Sequence, residues 1–204
     1  MEKNDGIPSE RLSLIVKAQL VPIFFQLLGH GFKLNAQMGC SVKELLCNQL
    51  GIHEGYLAER IQTIFLNAKV VDDVKSAIVN EGSVLALSGA MPGLAGAILR
   101  SGGIYAGMRS QISHDRNKLP SQSKNGQITL KLWNLVVKEL GPTFLDRGIY
   151  IETEACQAFI ERHSDALKAG CLSAELNEKP VTTEHLQELS WKSDLLFLQV
   201  NSGP

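Results

Sequence analysis

The sequence predicts an α+β protein made of two related units in tandem. Three observations carry this expectation. Short runs of strand character recur in both halves. A helical segment follows the second run in each half. One turn sequence, LNAKVV at 66–71, returns as LNEKPV at 176–181. The units are expected at residues 10–112, including a glycine-rich extension, and at 127–204.

The first half justifies its elements in order. LSLIVKAQL (12–20) is rich in apolar and β-branched residues and predicts a strand, interrupted at Pro22. FKLNA (32–36), after a turn at Gly29-His30-Gly31, predicts a short second strand. Ser41 and Glu44 in SVKE stand at capping-box spacing. Val42, Leu45, Leu46 and Gln49 share one face of the helix they open, and Gly51 suits its end. IQTIFLNAKVV predicts a strand, a turn at Asn67-Ala68 and a short return strand. GSVLALS (82–88) alternates as a strand does. The polar stretch 113–127, with Pro, Gly and Asn, predicts a linker.

The second half repeats the order. ITLKLWNLVV predicts a strand with Ile128, Leu130 and Leu132 on one face. GIYIE (148–152) takes the place of GFKLN. A helix is predicted in EACQAFIERHSDALKAG, with Phe159, Ile160, His163 and Leu167 along one stripe and Gly170 at its end. CLSAELNEKPV then mirrors IQTIFLNAKVV, and SDLLFLQV mirrors GSVLALS. Leu66, Asn67, Lys69 and Val71 recur as Leu176, Asn177, Lys179 and Val181, which reads as an internal duplication.

The order strand, strand, helix, strand, short strand, strand, with TIFLNAKVVDD and NEGSVLALS, resembles the β-grasp, or ubiquitin-like, fold. Residues 41–103 are similar to the small sulfur-carrier proteins of thiamine and molybdopterin synthesis. That resemblance implies a flexible terminal Gly-Gly tail that is adenylated and converted to a thiocarboxylate. Here the strand leads into AMPG, Gly93 is not doubled, Gly102-Gly103 is internal, and the sequence reads NSGP at its end. The resemblance therefore implies the fold more directly than the activity.

Composition narrows the function classes. The 204 residues carry a net charge of −1, with 44% apolar and 20% charged residues. No strong global field attracts nucleic acid or an anionic membrane. Aromatic residues, at 6%, are not interleaved with basic ones, so no nucleic-acid stacking platform is expected. No apolar run reaches the roughly 18–20 residues that span a bilayer. The opening MEKNDGIPSERLS lacks the pattern of a signal peptide, and a cytoplasmic location is expected.

No catalytic constellation is legible. Cys40, Cys47, Cys156 and Cys171 form no CxxC, and read as small apolar residues. The five histidines form no HxxxH or HExxH, and no serine lies in GxSxG. Neither GxxxxGK[ST] nor GxGxxG is complete in the glycine-rich run LSGAMPGLAGAILRSGGIYAGMRS (87–110). Small residues there are read as allowing close backbone packing. No cofactor and no metal are expected.

The leading expectation is a non-enzymatic ubiquitin-like interaction or scaffold protein with a protein partner. A second is a sulfur-carrier-like precursor processed after Gly103. A third is a small-molecule-binding protein or enzyme with a site between the two units. The candidate binding residues are Met91, Arg100, Gly102, Gly103, Tyr105 and Arg109.

Overall fold

The computed structural model describes residues 10–91, 93–99, 103, 124–188 and 191–203. The first strand, β1 (Arg11–Lys17), runs into a 3-10 turn (Ala18–Phe24) and helix α1 (Phe25–His30). Strand β2 (Phe32–Gln37) precedes α2 (Val42–Glu44), which continues as a π-helical turn (Leu45–Gln49). Then come α3 (Glu54–Glu59), β3 (Thr63–Leu66), β4 (Lys69–Val70), β5 (Val84–Ser88) and α4 (Gly93–Leu99). The later part holds β6 (Asn125–Trp133), α5 (Leu135–Arg147), β7 (Ile149–Glu152), α6 (Thr153–Arg162) and α7 (Ser164–Gly170). It closes with β8 (Cys171–Leu176), β9 (Lys179–Pro180), α8 (Thr183–Gln187) and β10 (Leu195–Gly203). The class is α+β with mixed strand pairing.

The chain divides into two compact units that are not consecutive in sequence. A contiguous unit holds Lys33–Glu139, and a split unit holds the described residues of Met1–Phe32 and Leu140–Pro204. The repeats of the sequence follow one another, whereas the units are interleaved. In the contiguous unit the strand order is β4-β3-β5-β6-β2, with β5 and β6 parallel. In the split unit it is β9-β8-β1-β10-β7, with β1 and β10 parallel. In both, the flanking pairs β3/β4 and β3/β5, or β8/β9 and β1/β8, are antiparallel.

Hydrogen bonding fixes which strands correspond. Asn67 and Ala68 have φ of 51° and 63°, and Asn177 and Glu178 have 52° and 65°. Two positive φ values in succession define the tight hairpin turn whose twist suits its strands. The Asn67 amide donates to the Val84 carbonyl, and its Oδ1 accepts from the Val84 amide, both at 2.8 Å. The Asn177 amide and Oδ1 do the same with Arg11, again at 2.8 Å. Arg11 thus stands where Val84 stands. The register agrees throughout: Leu85 faces Leu66 and Leu130, as Leu12 faces Leu176 and Leu198. By pairing, β1 corresponds to β5 and β10 to β6. The sequence reading matched SDLLFLQV with GSVLALS, but β10 takes the position of β6.

Replacing Asn67 or Asn177 with alanine should cost about 1–3 kcal/mol, from the unmet strand amide and the left-handed backbone. Glycine at either position should cost less, because it relieves the backbone while still losing the side-chain bond. Chemical denaturation of the two variants at each site separates the contributions.

The central strands carry buried apolar rows. Leu12, Leu14, Val16, Leu198 and Val200 are buried in the split unit, and Leu85, Leu87, Leu130 and Leu132 in the contiguous one. Burial of each such side chain contributes about 1.5–3 kcal/mol. The capping box forms as the sequence expects: the Ser41 amide donates to Glu44 Oε2 at 2.9 Å, and the Glu44 amide to Ser41 Oγ at 3.2 Å. Gly51, at φ 73°, ends that helix.

Some expected strands end early. Apolar Leu20, Phe24, Leu27 and Leu28 recur at helical spacing and are buried, so the chain turns helical after Lys17, through Pro22 and up to His30. After Trp133, Asn134 takes φ 56°, which stops β6 and starts α5. The one helix expected across 154–170 breaks at His163, where φ is −108° and ψ 19°. The His163 ring packs on Phe159 and meets the Gln26 amide. The helices leading to β2 and β7 end alike: Gly31 and Gly148 carry φ of 126° and 88°.

Candidate functional site

The segment where the sequence places its candidate residues leaves from the end of β5. Ser88 is fully buried. Its carbonyl accepts from the Gln62 amide at 3.0 Å, and its Oγ accepts from Asn134 Nδ2 at 2.8 Å. Gly89 then passes between Leu135 and the Arg60 carbonyl, where an added methyl group would lie 3.4 Å from Leu135 Cβ. Beside it, Tyr56 Oη donates to Glu139 Oε2 at 2.7 Å, and the Arg60 guanidinium pairs with the same carboxylate. Arg60 and Tyr56 hold the Glu139 carboxyl below its ordinary range, while burial and Glu139 push the Tyr56 phenol up. The group is a latch between α3 and α5.

Met91 is half-buried in the coil after Gly89 and Ala90. Its carbonyl lies against Gly96 with no room for a side chain there, a close approach within the segment itself and not against a sheet or another helix. Gly93 opens α4 at φ 77°. Gly103 lies in half-buried coil. Arg100, Gly102, Tyr105 and Arg109 lie outside the described residues, as does most of the expected linker. The Tyr56–Arg60–Glu139 latch was missed in the sequence. Tyr56 and Arg60 stand at i, i+4, but nothing local points to Glu139, 79 positions from Arg60.

A second surface is the outer sheet face of the split unit. Alternation puts Arg11, Ser13, Ile15 and Lys17 on that face of β1. Arg11 stacks over the Phe197 ring at 4.4 Å, and Tyr150 meets the same ring edge-on at 5.2 Å. The β1/β8 register shifts between Ile15 and Val16: Ser173 faces Ile15 and Cys171 faces Val16, so Leu172 is the extra residue of a bulge. Leu172 is 47% and Ile15 42% exposed, and both side chains reach the space left by Gly203. The same face thus presents two large apolar side chains towards one end of β1 and a cation stacked on an aromatic pair at the other.

The thiols all sit above their ordinary range. Burial pushes the Cys156 thiol up to about 12, and it also raises those of Cys40, Cys47 and Cys171. The thiolate is the reactive form. Iodoacetamide at mild alkaline pH should therefore leave Cys156 unlabelled until the protein unfolds, as peptide mass spectrometry will read. The folded value lies above the ordinary 9.0, so the stability tied to the neutral thiol is whole below pH 9 and is lost as pH rises towards 12. Among the described residues, no group of three or more His, Cys, Asp or Glu side chains is placed to hold a metal ion, and no helix is long and apolar enough to cross a membrane.

Comparison with protein-family models, curated proteins and solved structures finds no match for this chain.

Proposed function

We propose that this chain is a non-enzymatic, ubiquitin-like interaction protein of the cytoplasm, built from two β-grasp units by internal duplication. What supports the duplication is the identical strand order, register and asparagine-locked turn of the two units. The single observation that supports the interaction role is the outer face of the split unit, where Ile15 and Leu172 are exposed at the Gly203 end of β1 and Arg11 stacks on Phe197 at the other end. Its partner is a protein that buries these two side chains. Carriage of sulfur after cleavage at Gly103 has less support, since β5 is followed by helix α4 and Gly103 is half-buried.

Photo-crosslinking residues placed singly at Ile15 and Leu172 in the native cell test this reading. The expected result is one shared protein adduct, lost on Arg11→Glu and not formed from a probe at Glu59. Different adducts from the two positions, or the same adduct from Glu59, would overturn it. Intact-mass measurement that found a fragment ending at Gly103 would instead favour the carrier reading.

A further inference from the structure

We infer that the two halves of the sequence are locked together by reciprocal strand donation, so that the molecule stays one particle when its backbone is cut between Gly103 and Lys124. The inference stands apart from the interaction reading. It rests on which strands complete which sheet. The strand β1 belongs to the first half, yet it fills a central slot between β8 and β10 of the second. Seven residue pairs join it to β10, from Arg11↔Phe197 to Lys17↔Gly203. The strand β6 belongs to the second half, yet it lies between β5 and β2 of the first. Neither donated strand is an edge ornament. Leu12, Leu14 and Val16 on one, and Ile128, Leu130 and Leu132 on the other, are core residues of the unit that receives them.

Further bonds seat β1 in its slot. The Glu10 carboxylate, itself buried, accepts from the Lys192 amide at 2.9 Å and from the Ser193 amide at 3.2 Å. The Glu10 carbonyl accepts from the Phe197 amide at 3.1 Å, and the Asn177 side chain holds the Arg11 amide. A cut between the halves removes none of these bonds. Each fragment would have to withdraw a central strand from the other, exposing two rows of unpaired backbone groups, before the two separated. A carrier tail freed at Gly103 would therefore remain attached to the rest of the protein.

The test uses the full chain with a site-specific protease sequence inserted among residues 113–123. After cutting, the two fragments should elute together at the volume of the uncut protein and resolve only under denaturing conditions. A second form carries Ser13→Cys and Gln199→Cys, which face each other on neighbouring parallel strands. Oxidised and cut, it should run as a single band on a non-reducing denaturing gel, and reducing agent should split it; Ser13→Cys alone should not crosslink. Fragments that elute apart, a cut protein that elutes as aggregate, or failure of the 13–199 crosslink would each overturn the inference.

Discussion

Leu14→Ala should destabilise the split unit by about 2–5 kcal/mol, the cost of a cavity in a core that relaxes only partly. Leu14 is buried at the centre of β1, paired to Ala174 on one side and Val200 on the other. Amide hydrogen exchange provides the local readout. Protection should fall most along Leu196–Val200 and at Ala174, in residues far from Leu14 in sequence and adjacent to it in the sheet. Ile15→Ala, one position on, should stay within about 0.5 kcal/mol of the parent, because Ile15 faces outward. Equal effects from the two substitutions would mean that β1 does not present these faces.

Gly148→Ala is expected to be the other severe change, for two separable reasons. The backbone at Gly148 has φ 88°, a region that costs an L-residue about 1–2 kcal/mol. A methyl group there would also overlap the Phe197 ring, and overpacking of this kind costs about 1–3 kcal/mol more. The double variant Gly148→Ala/Phe197→Ala tells them apart. With the ring gone only the backbone part should remain, so the two substitutions should be less than additive in thermal or chemical unfolding. Full additivity would show that the ring does not press on this glycine.

The elements that announce themselves by local chemistry were legible. The capping box at Ser41 and Glu44, the two asparagine turns and the alternating strands each follow from residues within a few positions of one another. The helical stretch after Lys17 was less legible, because its β-branched and apolar residues suit a strand as well, and only the recurrence of Leu20, Phe24, Leu27 and Leu28 separates the two. The exchange of β1 and β6 was not legible at all. Strand pairing is decided between segments far apart in the chain, and LSLIVK carries the same alternation whichever sheet receives it. The candidate site divides the same way. The glycine-rich run marked out Met91 and the small residues as candidates from composition alone, whereas the latch at Glu139 and the bulge at Leu172 depend on partners that no spacing rule connects.

The pairing of Arg11 with Phe197 also has a kinetic side. On the ribosome, the first described strand to emerge must wait for the last before its parallel partner exists. Loop closure over that span makes its contacts among the slowest to form, and topologies dominated by such distant pairs fold correspondingly slowly. During synthesis the apolar row Leu12, Leu14 and Val16 therefore stays exposed until β10 has emerged, a nascent segment that a chaperone would have reason to cover.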